Sequence, residues 1–153
     1  MQNVVKESVE LQHFVPYRMV HLAANISEAL SKIYKQEFDI NIAQWRVLAQ
    51  LARQQKLYSK DIGKKTAMDK SKVSRAVKTL EARHYLQRHV DPKDNRAAYL
   101  SLTAQGKLLY QKIVPKALQW ESELLNVLTT SERNNLMTIL DKLGAQILSI
   151  NKN

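Results

Sequence analysis

Ser71, Ser74, Arg75 and Lys78 recur at the spacing of one helix face, and their types suit a nucleic acid. Short hydroxyls and long cations together can meet phosphate oxygens and base edges in a major groove. The segment that carries them, 69–85 (DKSKVSRAVKTLEARHY), places Val73, Ala76, Val77 and Leu80 at i, i+3, i+4 and i+7 on roughly the opposite side. It is expected to be an amphipathic helix with an apolar stripe inward and a basic, hydroxyl-bearing face outward. Beyond it, LQRHV and AAYLSL bracket a polar tip from Asp91 to Arg96, the pattern of a hairpin.

Charge is concentrated in the same region. Thirteen of the 24 basic residues and five of the 14 acidic ones fall between residues 53 and 96, so 44 residues carry +8 of the net +10. Such a field draws a polyanion and makes its binding sensitive to salt. A merely solvated basic surface is the competing interpretation, and the ordered helix and hairpin in that window weigh against it.

The elements that must position this face can be read from spacing and caps. A long helix is expected from about Pro16 to Gln36, with Pro16 in its first turn. Asn41 and Gln44 have the spacing of a capping box and open a second helix through Trp45, Leu48 and Ala52. Ser59 is the expected N-cap of a short third helix (SKDIGKKTA), with Ile62 inward and Lys60, Lys64 and Lys65 outward. Two helices joined by a short turn, the second bearing cations and hydroxyls, form a helix-turn-helix pattern. After the hairpin, Thr103 is placed to cap a helix running to about Leu128, which Pro115 should kink or divide. Thr129 and Glu132 form another capping pair before a last helix striped with Leu136, Ile139, Leu140, Leu143, Ile147 and Ile150. That stripe either packs on the chain's own first helix or on a second copy. A two-fold dimer reading half-sites about one helical turn apart favours the second copy.

Composition excludes several classes. At 153 residues with 44% apolar content, the chain can bury a core. No apolar run approaches the ~20 residues of a membrane span, and the opening MQNVVKESVELQHF lacks signal-peptide character. A protein working in the cytoplasm beside DNA is the expectation. The absence of Cys removes disulfides and thiol switches, and His13, His21, His84 and His89 lack metal-ligand spacing. There is no nucleophile–base pair, phosphate loop or metal cluster, so neither an enzyme nor a cofactor is expected.

Taken together in order and spacing, DKSKVSRAVKTLEARHYLQR, DPKDNRAAYLSLTAQG and IAQWRVLAQL resemble the MarR family of winged-helix regulators. The resemblance implies a mainly α fold, a three-helix unit plus a two-stranded β wing, with terminal helices that form a dimerisation region. On this chain the DNA-binding unit would span about 41–103 and the dimerisation helices about 16–36 and 104–153. It implies a sequence-specific regulator, typically a dimeric repressor on a pseudo-palindromic operator in double-stranded DNA. Ser71, Ser74, Arg75 and Lys78 would then face the major groove, with Ser59 and Lys60 on phosphates and Lys72 and Lys93 also contacting DNA. Arg96 would enter the minor groove, where a narrow A-T tract concentrates negative potential, and Asp94 would orient a nearby arginine. Many family members have Gly after the reading helix. Here the stretch is Ala82-Arg83-His84-Tyr85, and His84 is the residue expected to take the left-handed conformation.

The family also implies release by a small, often aromatic and acidic, ligand bound near the first two helices. Tyr17, Arg18 and His21 on the first helix and Trp45 on the second would suit one: a guanidinium for the carboxylate, an imidazole donor and aromatic walls. The same residues could equally be core, interface and surface ion-pair positions. A DNA-binding regulator or architectural, anti-silencing protein without a small-molecule switch is the alternative.

Overall fold

The computed structural model describes residues 8–152. After a short 3-10 turn at Leu11–His13, the chain forms α1 (Val15–Phe38), α2 (Ile42–Gln54), β1 (Leu57–Tyr58), α3 (Ser59–Thr66) and α4 (Lys70–Ala82). It continues through β2 (Leu86–Asp91), β3 (Asp94–Leu102), α5 (Ala104–Leu124), a 3-10 turn at Leu125–Val127 and α6 (Thr130–Ile150). The mainly α fold with a small β wing is present, and the wing gains a strand. The sheet is antiparallel with order β1-β3-β2, Leu57 and Tyr58 pairing with Leu100 and Tyr99. Two residues are too few to show an alternating pattern, which is why β1 escapes a reading of spacing.

Local chemistry explains most boundaries. Asn41 Oδ1 accepts the Gln44 N–H at 2.8 Å and the Asn41 N–H donates back to Gln44 Oε1 at 3.0 Å, the expected reciprocal cap of α2. Ser59 is not the cap of α3. The N-cap position is Tyr58, without a side-chain bond, because β1 pairing holds that residue extended until the helix begins. The reading helix α4 stops at Ala82, short of the expected Tyr85. His84 there takes φ 59, as expected of the residue standing in for glycine, and the Tyr85 N–H returns to the Leu80 carbonyl at 2.9 Å. The hairpin tip is also tighter than six residues: the strands reach Asp91 and Asp94 and leave Pro92-Lys93 between them.

Contacts distant in sequence hold these elements together. The Arg83 guanidinium donates to the Asp39 carbonyl at 2.6 Å and the Phe38 carbonyl at 3.2 Å, satisfying the end of α1. Beneath the sheet and helices lies a core in which Ile40, Leu48, Ile62, Leu80, Leu100 and Ile113 are fully buried. Thr103 fastens the wing to α5, donating to the His84 carbonyl at 2.6 Å and accepting the Gly106 N–H at 3.0 Å.

Gly106 is required by a close approach rather than by a special φ. A Cβ there would lie 2.1 Å from the Tyr85 carbonyl oxygen. Alanine is the better helix former by about 1 kcal/mol, but a contact that short forces backbone apart and outweighs it. Gly106→Ala is therefore expected to cost about 1–3 kcal/mol net and to lower Tm by about 3–10 °C. Thermal melting by circular dichroism checks this, and an unshifted melt would refute the close-approach argument.

The chain divides into two compact units, Met1–Val114 and Pro115–Asn153. Helix α5 runs from Ala104 to Leu124 with Pro115 inside it, so the proline does not divide the helix, and α5 ends earlier than Leu128. In the second unit, Thr129 and Glu132 form the expected capping box at the start of α6. The apolar stripe of α6 is exposed from Ile139 (52%) through Leu143 (43%) to Ile150 (57%).

Candidate nucleic-acid interface

The turn between α3 and α4 decides how the basic face is offered. Ala67 takes φ 52, and the Met68 N–H returns to the Gly63 carbonyl at 3.1 Å. Asp69 then caps α4, its Oδ1 accepting the Lys72 N–H at 2.8 Å. Burial of Val73, Ala76, Val77 and Leu80 orients the rest of the helix. Ser71, Lys72, Ser74, Arg75 and Lys78 all lie exposed, as the helical spacing requires. Arg75 Nη1 donates to Ser71 Oγ at 3.0 Å, so the hydroxyl steadies the guanidinium along the face. Lys60 is exposed on α3, and Ser59 beside it is half-buried.

A cleft of about 530 Å³ runs between α3, α4 and β2 and brings Ser59, Lys60 and Ser74 together with Lys64, Lys70 and Arg88. Arg88 was not among the expected site residues. It lies two residues from buried Leu86 in β2, and that alternation was the available signal. Its guanidinium also pairs with Glu81, Nε to Oε1 at 3.3 Å. On the other flank of α4, a second cleft of about 490 Å³ joins Lys72 and Arg75 to Lys35 of α1 and Glu28.

Arg96 and Lys93 stand exposed at the wing tip. Asp94 Oδ1 accepts the backbone N–H of Arg96 at 3.0 Å, so its bond runs to the main chain at the entry to β3. A different carboxylate does more to fix the tip. Asp91 Oδ2 accepts the Tyr58 hydroxyl, and its Oδ1 accepts the Lys93 N–H at 2.8 Å. The Tyr58 bond holds the Asp91 carboxyl below its usual range and pushes the Tyr58 phenol up.

The four residues expected to hold a ligand fall into two places. Tyr17 and His21 stack with centroids 6.0 Å apart on α1, and together with Arg18 they line an open hollow formed only by residues 12–25. Trp45 is elsewhere, stacked between Tyr34 at 5.5 Å and Tyr110 at 5.8 Å. Tyr34 is buried, and that burial raises its phenol pKa.

With this geometry in view, the comparisons with known proteins are consistent with one another. The model of the MarR family matches residues 38–97, from the end of α1 to the wing. An uncharacterised HTH-type transcriptional regulator of Bacillus cereus is 29% identical over 119 residues, covering 77% of this chain and 79% of its own. The crystal structure of a MarR/EmrR family transcriptional regulator from Acinetobacter sp. ADP1 superposes with a TM-score of 0.84 at 26% identity, covering 92% of this chain and 99% of the other. A structure of Bordetella bronchiseptica BpsR, described by the mechanism for regulation of its DNA binding by 6-hydroxynicotinic acid, gives a TM-score of 0.71 at 28% identity. It covers 83% of this chain and 98% of BpsR. Over residues 38–97 the chain is thus similar to the MarR family, and across most of its length it is similar to HTH-type transcriptional regulators and to MarR-family structures of the winged-helix type.

Proposed function

We propose that this regulator is a dimeric, cytoplasmic repressor that reads a pseudo-palindromic operator and is released from it by a small aromatic acid. The observation that carries the DNA-reading part is the exposed face of α4, where five hydroxyl or cationic side chains lie opposite a fully apolar stripe. Ser71, Lys72, Ser74, Arg75 and Lys78 enter the major groove, and Ser59, Lys60 and Lys93 hold backbone phosphates. Arg96 reaches the minor groove beside them. Asp94 orders the entry to β3 so that Arg96 is presented from a fixed strand.

Dimerisation rests on the apolar surfaces left exposed on single helices. The stripe of α6 is one, and Val15, Met19 and Leu22, at i, i+4 and i+7 of α1, form another, at 59%, 40% and 59% exposure. Patches of this size are costly for a lone soluble chain, and a second copy is the partner that also supplies a second reading helix.

For the effector, BpsR supplies support by likeness, since an aromatic carboxylate regulates its DNA binding. On this chain Arg18, His21 and the Tyr17 ring offer a cation, an imidazole and an aromatic wall within one hollow. Trp45 contributes to a separate aromatic stack, so its part is to stiffen the junction of α1, α2 and α5.

Fluorescence anisotropy on DNA from upstream of the protein's own coding sequence tests both parts, with scrambled DNA at the same salt as control. Selectivity of at least ~1,000-fold is expected, along with release by 6-hydroxynicotinic acid or a related acid and loss of release in Arg18→Ala. Equal, salt-sensitive binding to both DNAs would refute a specific operator there. Operator affinity unchanged across a panel of aromatic acids would instead support the regulator without a small-molecule switch.

A further inference from the structure

The wing carries a bond that its distance in sequence conceals. Strands β1 and β2 lie on opposite sides of β3, yet the Tyr58 hydroxyl of β1 donates to the Asp91 carboxylate at the end of β2. The bond therefore spans the central strand. Register places Tyr58 opposite Tyr99 and His89 opposite Tyr99, so these rings share one face of the sheet. On that face His89 and Tyr99 stack at 4.8 Å, His89 Nε2 lies 3.0 Å from Ser101 Oγ, and Lys56 Nζ sits 5.1 Å from the Tyr99 ring centre.

Each partner is anchored to a different part of the DNA-reading surface. Tyr58 is the residue immediately before α3, whose first turn carries Ser59 and Lys60. Asp91 closes the tip, its second oxygen holding the Lys93 N–H and its backbone paired with Asp94 two residues before Arg96. Together with the pairing of the two-residue β1 on β3, the bond ties the outer half of the wing to the start of α3. A hairpin tip beyond its last neighbouring strand bends easily, since nothing opposes rotation about the twisted ladder.

We propose that Tyr58 and Asp91 form a latch that sets the angle of the wing against the helix-turn-helix, making them positioning residues for the minor-groove contact of Arg96. The latch thus couples phosphate contacts on α3 to base-composition readout at the wing. Its chemistry suits a fixed device. Asp91 stays ionised and Tyr58 protonated through the neutral range, because the bond shifts both groups away from it in opposite directions. Donor and acceptor never exchange roles under those conditions.

This proposal rests on the assignment of Arg96 to the minor groove, and the test separates the two. Operator variants with A-T or G-C pairs under the wing are compared for wild type, Tyr58→Phe, Asp91→Ala, Asp91→Asn, Arg96→Ala and Tyr58→Phe/Arg96→Ala. Tyr58→Phe keeps the ring and its strand pairing and removes one hydroxyl. The latch variants Tyr58→Phe and Asp91→Ala are expected to lose most of the A-T preference, about 3- to 10-fold in relative affinity, with little change in thermal melting. Asp91→Asn keeps one acceptor oxygen for the Lys93 N–H and can donate its amide N–H to the Tyr58 oxygen, reversing that bond, so it should retain most of it. Tyr58→Phe should add nothing in the Arg96→Ala background. If Arg96→Ala leaves A-T preference intact, the Arg96 assignment fails. If Arg96→Ala abolishes it while Tyr58→Phe and Asp91→Ala do not, the latch is overturned. Equal additional weakening by Tyr58→Phe with and without Arg96 would also overturn it, by showing that the hydroxyl acts elsewhere. Lowered melting in Asp91→Ala is resolved by Tyr58→Phe, whose preference decides the matter at intact stability.

Discussion

Arg96→Ala is expected to weaken operator binding by about 1–3 kcal/mol, which is roughly 5- to 150-fold. The loss should be largest on operators with A-T pairs under the wing and smallest on those with G-C pairs. The reason is electrostatic focusing. A narrow A-T minor groove holds a deeper negative potential than a wider G-C one, so a guanidinium inserted there discriminates by shape. Arg96 is exposed and its backbone is tied to Asp94, so truncation removes a reaching side chain without opening the core. Anisotropy titrations on the two operator types, repeated at two salt concentrations, check the expectation. A loss of the same size on every sequence, with a shallower salt slope, would reassign Arg96 to a plain phosphate contact.

Leu143→Glu/Ile147→Glu should convert dimers to monomers and cost operator affinity on the order of 100-fold. Both positions are exposed on the single chain, at 43% and 56%, so the substitution leaves α6 free to fold. The two glutamates sit four residues apart, and their mutual repulsion costs the helix only about 0.2–0.5 kcal/mol. In an interface between two copies, by contrast, they bring four carboxylates into an apolar seam, at a cost of several kcal/mol. Removal of residues 144–153 should act in the same direction. Sedimentation velocity reports the oligomeric state, and anisotropy on a full site against a half-site reports the consequence for reading. A double variant that stays dimeric and binds the full site normally would remove α6 from the dimer interface.

These two expectations draw on different levels of information. The face of α4 and the stripe of α6 were determined by the sequence itself, because both depend on a 3.6-residue period that repeats within one element. The caps Asn41–Gln44, Thr103 and Thr129–Glu132 were legible for the same reason: donor and acceptor lie three residues apart. Even the left-handed His84 followed from the lack of a glycine where the chain must turn. What tertiary structure alone decided involves partners separated by tens of residues, for which no local spacing exists. Strand β1 has two residues and is defined by β3, some forty positions on, and its pairing placed the N-cap of α3 at Tyr58 rather than at Ser59. Trp45 looked free to face a ligand beside Tyr17, until Tyr34 and Tyr110 closed on its two faces. The carboxylate that secures the wing follows the same logic. Asp94 is singled out by its motif, whereas Asp91 is singled out by a phenol 33 residues earlier that reaches it only when three strands stand side by side. Periodicity and capping are properties of a few neighbouring residues. Which side chains meet across a sheet depends on register, and register is settled only when the apolar faces are buried together.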